Sequence, residues 1–343
     1  MRGNIPISDL TPAEDIWLTV LVTSVREINP QQGSPFLIAG ARNASGSIAL
    51  KIPAEILQTG ASFRSGLWGI VGRLETFQNQ AQFLVSELRP ITVAKYRELQ
   101  NADPPVPRAF TIDIETIPVP AFKERAAQRL SRAMNLGKMS EEQQGRYFED
   151  QGAEEERAYR SGSLVATSGR VLSIAVHIGP VAGVEIEGVA QGESEHVFGI
   201  DSGGQEQSEQ QALSEFLALM SSFDPDVDEI IGHNILGFDL PFIFQRCLVN
   251  RIAARPFVKL SEFSVRGVYD TMHRWWLGAK NRVALDDIAW ALGIESSKTD
   301  EVEGSRVFEL YQAGKLAEIR EYNLNDVRVT RKVYERMVSV FGR

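Results

Sequence analysis

Asp113 and Glu115 stand two residues apart in Phe110-Thr111-Ile112-Asp113-Ile114-Glu115-Thr116. The stretch is β-branched and aromatic. Pro104, Pro105 and Pro107 bound it upstream and Pro118 and Pro120 downstream, so it reads as a β-strand. Side chains alternate faces along a strand, which puts both carboxylates on one side with backbone anchors roughly 6.6 Å apart. Ile112 and Ile114 take the other face and can enter a core. Two carboxylates held this close disfavour each other's ionisation unless a positive charge lies between them. A divalent cation is the usual resolution.

Further candidates lie far along the chain. Asp239, in Gly232-His233-Asn234-Ile235-Leu236-Gly237-Phe238-Asp239, falls near the start of a helix expected over residues 236–250. Amide dipoles there tolerate an acid, and a plain N-terminal charge fits the same position. Tyr322 and Asp326 are four residues apart on a C-terminal helix and face the same way, as an ordinary surface pair would. With 45 acids in 343 residues, each motif alone is common. Their order and spacing together are more specific.

The elements that must position these residues fall into two regions. Residues 16–22, 36–41, 47–52, 67–74 and 82–88 read as five short strands, with a brief helix from Pro53 to Gln58 between the third and fourth. That order matches a five-stranded OB-fold barrel and predicts an N-terminal domain over residues 1–96. A barrel of this kind serves as a single-strand platform or as a bare spacer. On the platform reading, Arg42 and Arg64 meet phosphates, and Phe36, Phe63, Trp68, Phe77 and Phe83 are stacking candidates. Residues 97–107, with three prolines, read as a linker. From 108 to 343 strand and helix alternate, which predicts an α/β fold built on a mixed sheet flanked by helices. An insertion over about 121–169 reads as one or two helices ending in a mobile charged segment, 150–163. The basic residues from Arg246 to Arg282 suggest either a solvated face or a strand-tracking groove.

Composition is ordinary for a globular chain, 43% hydrophobic and 24% charged. A net charge of −9 argues against bulk electrostatic binding of duplex nucleic acid, while leaving room for a local basic groove. No apolar run spans a membrane, the N-terminus lacks a signal-peptide core, and the single cysteine, Cys247, suits a helix face. A cytoplasmic protein with no membrane partner is the expectation. Oligomeric state stays open, a homo-oligomer included.

Taken together, acidic strand, N-x-x-x-F-D and Y-x-x-x-D resemble the DEDDy branch of the 3′–5′ exonucleases, within the ribonuclease-H-like fold. The chain is most similar to stand-alone exonucleases related to the proofreading domain of family-B DNA polymerases. The context Tyr269-Asp270-Thr271-Met272 and Ala284-Leu285-Asp286-Asp287-Ile288 belongs to the same resemblance. It implies two Mg²⁺ or Mn²⁺ ions held by Asp113, Glu115, Asp239 and Asp326, with Asp113 bridging them. It implies that Tyr322 orients the attacking water. Asn234 would shape its loop or contact substrate, and Phe238 would pack on the terminal base. Glu stands at 321, where the histidine branch of the superfamily would have His. The implied activity is removal of nucleoside 5′-monophosphates from the 3′ end of single-stranded DNA, in DNA repair or processing or in phage defence. RNA or small oligonucleotides are the alternative substrate, and a non-catalytic nucleic-acid-binding module is the alternative class.

Overall fold

The computed structural model describes residues 6–11, 16–31, 33–57, 63–77, 80–133, 140–184, 191–225, 227–258, 267–278, 282–295 and 306–342. Five N-terminal strands, β1 (Ile16–Ile28), β2 (Phe36–Asn43), β3 (Gly46–Pro53), β4 (Gly66–Phe77) and β5 (Gln80–Pro90), close into a barrel of order β1-β2-β3-β5-β4. β1 pairs back onto β4, β3 and β5 run parallel, and the short helix α1 (Ala54–Leu57) sits between β3 and β4. This is the OB-fold arrangement anticipated from the strand pattern. Alternation explains the closure: Ile16, Leu18, Val20, Ile48, Leu50 and Ile52 all point into one core. At the register shift between β4 and β5, a Cβ on Gly72 would lie 2.1 Å from the Leu84 carbonyl oxygen, so the strands can approach there only at a glycine.

The second region is a five-stranded mixed sheet of order β10-β9-β6-β7-β8. Its strands are β6 (Arg108–Pro118), β7 (Gly169–Pro180), β8 (Ser194–Phe198), β9 (Glu229–Gly232) and β10 (Val268–Asp270). β6, β7 and β8 form an antiparallel meander, while β9 and β10 run parallel to β6, which lies at the centre. Phe110, Ile112 and Ile114 enter the core on one side of β6 with α5 (Glu209–Met220) and α6 (Asp239–Val249). The long helix α10 (Leu316–Phe341) crosses β6 and β7, placing C-terminal residues over the acidic strand. The helical flanks and mixed sheet agree with the expected α/β class.

Two expectations are corrected. Residues 93–100 form helix α2, so the start of the expected linker is ordered. Thr92 caps it, accepting from the Lys95 amide, and Tyr96 is fully buried in the cluster that also holds Ala109 and Tyr334. The insertion folds as α3 (Phe122–Ala133) and α4 (Glu141–Arg160), and the charged segment from 150 onward is helical to Arg160. Glu156 and Arg160 pair at i,i+4, and the Tyr159 ring meets Phe308 edge-on at 5.6 Å. The remaining short helices are α7 (Thr271–Trp276), α8 (Leu285–Ala291) and α9 (Val307–Gln312).

Candidate metal centre

β6 and α10 bring three carboxylates together. Asp113, Glu115 and Asp326 each offer an oxygen, all within 4.8 Å of one another. Asp239 joins them from the start of α6, where its Oδ1 accepts the Ile114 amide at 3.2 Å. Burial, and then the negative charges of Asp326, Asp239 and Glu115, hold the Asp113 carboxyl well above the usual range. Glu115 is raised the same way, by burial and then by Asp326 and Asp239. Burial pushes Asp239 up to about 7, against the opposing pull of its backbone hydrogen bonds. The principal charges acting on these three acids are all negative. Hard oxygen donors with no thiol or imidazole among them suit a hard divalent cation such as Mg²⁺ or Mn²⁺.

Tyr322 lies half-buried on α10, one turn before Asp326, and is hydrogen-bonded to it. Burial and the negative charges of Asp326, Glu115 and Asp113 push its phenol far up, so it is a neutral donor. Such a group can orient a water, and the same charges oppose its acting as a phenolate base.

Sequence reasoning gave no role to two residues. Asn323 is fully buried; its Nδ2 donates to Asp113 Oδ2 at 2.7 Å, and its Oδ1 accepts from Ser173 Oγ at 2.7 Å. It opposes the rise in Asp113 proton affinity. The available signal was a polar residue three before Asp326, on the helix face that meets the sheet. Asp270 is the other. Its Oδ1 accepts the amides of Asn234, Met272 and His273 at 3.1, 3.0 and 3.2 Å, and its Oδ2 accepts the Leu236 amide at 3.2 Å. One carboxylate thus caps α7 and fixes the loop that enters α6. That loop needs fixing, since Asn234 has φ +60°. The Asn234 side chain folds over its own loop, its Oδ1 2.4 Å from where a Cβ on Gly237 would sit. Phe238 precedes Asp239, half-buried, with its ring 5.4 Å from Phe242. His233 bridges Thr271 Oγ1 and the Val283 carbonyl at 3.0 and 2.9 Å, which gives it a structural task beside the loop.

Several basic and aromatic candidates lie elsewhere than expected. Arg42 pairs with Asp224, in the loop between α5 and β9, at 2.9 Å. Arg246 is buried against Glu209 and belongs to no surface groove. Phe83 and Trp68 are core, and Phe63 leans on Trp68 at 4.8 Å. Phe36 keeps partial exposure beneath the Lys51 ammonium, Phe77 is 59% exposed at the β4–β5 end, and Arg64 is exposed. Lys259, Arg266 and Lys280 fall outside the described residues.

Residues 174–343 match the family of predicted 3′–5′ exonucleases related to the exonuclease domain of PolB. The matched stretch includes Asn234, Phe238, Asp239, Tyr322 and Asp326, and it begins after β6 with its two acids. No curated protein matches the chain. Solved structures similar to it include the second OB-fold domain of replication protein A from Methanococcus maripaludis, at 16% identity and TM-score 0.21. That alignment covers 26% of this chain and 94% of that one. A replication protein A heterotrimer bound to ssDNA aligns at 13% identity and TM-score 0.21, over 26% of this chain and 67% of that one. Among the described residues no helix is long and apolar enough to cross a membrane.

Proposed function

We propose that this PolB-related exonuclease is a DEDDy enzyme that removes nucleotides from the 3′ end of single-stranded DNA, releasing nucleoside 5′-monophosphates. The observation that carries the reading is the convergence of Asp113, Glu115 and Asp326 within 4.8 Å, in a chain whose residues 174–343 match an exonuclease family. Asp113, Glu115, Asp239 and Asp326 are the proposed holders of two Mg²⁺ or Mn²⁺ ions, whose chemistry is to lower the pKa of water and neutralise charge on the phosphate oxygens. Asn323 holds Asp113 in place by donating to Oδ2 and favours its ionised form against the neighbouring charges. Tyr322, as a neutral phenol hydrogen-bonded to Asp326, orients the attacking water. Asp270 sets the loop from Asn234 to Phe238, so that Asp239 enters from the side of β6. Barrel residues Phe36, Lys51 and Phe77 offer the exposed π and cationic surface that a single strand uses.

The test is a 5′-labelled DNA oligomer and its RNA twin, each with Mg²⁺ or Mn²⁺, with EDTA, and with Asp326→Ala. A descending ladder on DNA, lost with EDTA and in the variant, is the expected result. A ladder on RNA alone changes the substrate and keeps the centre. Retained binding with no ladder makes the chain a binding module.

A further inference from the structure

β6 carries Asp113 and Glu115, and the chain leaves it at Pro118 to enter α3 at Phe122. Ile117, at that end of β6, packs with Leu310 of α9 and Ile319 of α10. Phe308 and Tyr322 pack against the same cluster. Phe308 also packs against the smaller cluster of Phe122, Ala126 and Tyr159. The root of α3 is therefore held through Phe308 to the apolar cluster that Tyr322 joins.

The two helices of the insertion treat charge in opposite ways. On α4 the cations are paired: Arg157 meets Glu154 at 2.9 Å, and Arg160 meets Glu156 at 3.0 Å and Glu309 at 2.8 Å. On α3, Arg125 and Arg129 are both exposed, and neither makes an ion pair among the described residues. They stand at i and i+4, so like charges share one stripe, which by itself weakens a helix. Glu124, the acid on α3, points elsewhere and accepts from Gln128 at 3.2 Å. Lys123 is about 200° around the helix from Arg125. Its ammonium lies 5.8 Å from the Tyr159 ring, on the side of α4, so the arginine stripe is turned away from α4. The Arg129 guanidinium rests 5.7 Å over the Phe122 ring, which keeps the stripe against the root of the helix. In a chain of net charge −9, two exposed arginines that repel each other suit a polyanion.

We propose that Arg125 and Arg129 form a track for the phosphodiester backbone of the single DNA strand, upstream of the nucleotide at the acidic centre. This rests on the exonuclease reading above and gives the helical insertion its part in holding the substrate. One helical turn sets the two arginines about 6 Å apart along the axis, close to the interval between successive phosphates of an extended strand. The contact is to charge alone, so it is indifferent to base sequence.

The experiment measures binding of a fluorescent single-stranded DNA by anisotropy in EDTA, over a series of salt concentrations, and degradation of the same strand in Mg²⁺. R125Q/R129Q is expected to weaken binding by about tenfold at low salt and to reduce the slope of log affinity against log salt by about 1.4, the share of two phosphates. KM rises in parallel while kcat stays within about twofold, because the contact is made in ground and transition states alike. R125K/R129K is expected to recover most of the loss, since a phosphate track asks only for charge. A dinucleotide, too short to reach α3, is expected to be cleaved by R125Q/R129Q as by wild type. The control is K332Q/R336Q, which removes the same charge from exposed positions on the far half of α10. An equal loss in that control overturns the track and assigns the effect to net charge. Unchanged affinity and slope in R125Q/R129Q, with active wild-type protein, overturn the track and leave the exonuclease reading standing. The double variant is expected to melt no lower than wild type, because a like-charge pair is gone. A fall in melting temperature with the lost affinity would assign the pair to the fold and overturn the track. An inactive wild-type protein overturns the exonuclease reading, and the track to its centre falls with it.

Discussion

Asp228 is as deeply buried as Asp239, and the Glu209 side chain is nearly as enclosed as Glu115, in the same α/β region, yet their surroundings are opposite. Asp228 accepts the Arg108 amide at 2.9 Å, the Arg108 guanidinium at 2.7 Å and the Asp224 amide at 3.0 Å. Glu209 receives a two-pronged contact from Arg246, at 2.8 and 2.6 Å, with further bonds from Asn250 and the Val171 amide. Glu115 and Asp239 face other carboxylates instead. Burial is therefore shared, and what separates the two sets is the sign of the neighbours. Saturated acids build the frame. Acids turned on one another make a site suited to a cation.

The sharpest way to break this contrast is to remove one member of each set. Asp113→Ala is expected to lower kcat by about 10²–10³-fold or more, with a folded protein by circular dichroism. Wild-type turnover in a contaminant-free preparation of that variant would refute the centre. Glu209→Ala is expected to act on the fold, costing about 3–5 kcal/mol in denaturant unfolding, because Arg246 is left buried without its partner. Loss of activity at full stability in Glu209→Ala would erase the distinction between frame and site.

Asn323 belongs to both sets, since it is a donor, yet its acceptor is Asp113. Asn323→Ala is expected to reduce activity or metal affinity by about 10–100-fold, the usual range for a group that orients a ligand. Titrating Mg²⁺ against rate checks it: a higher metal requirement with a nearly unchanged maximum is the expected form.

How far these placements were legible depends on the range of the interaction that fixes them. Asp113 and Glu115 could be read because strand alternation is local, and Tyr322 with Asp326 because helical spacing is local. The five barrel strands were legible for the same reason, each being a short alternating run between turns. Asn323 was not legible, because its partner lies 210 residues away and appears only when α10 crosses β6. Arg42 and Arg246 looked like surface cations in the sequence and became structural ones through Asp224 and Glu209, again distant in the chain. The segment from 150 to 160 read as mobile because its charges hide the i,i+4 pairs and the Tyr159 contact that make it a helix.

The smallest effect tests the contrast from the side of protons. Folded, Asp239 has its pKa pushed up to about 7, whereas an unfolded aspartate titrates near about 3.9. Between those values the folded metal-free protein binds more protons than the unfolded chain. The contribution is thus complete below about pH 3.9 and is lost as pH rises through about 7. In EDTA, the melting temperature of Asp239→Asn is expected to exceed that of wild type by a margin that grows between pH 5 and pH 8, reaching a few degrees. Asparagine can keep the acceptor for the Ile114 amide while removing the charge, so the comparison isolates ionisation. Saturating Mg²⁺ is expected to abolish or reverse the margin, because bound cation favours the ionised carboxylates that the metal-free fold resists. A margin that does not change with pH in EDTA would mean that Asp239 has a partner like those of Asp228 and Glu209, and the two sets of acids would be one.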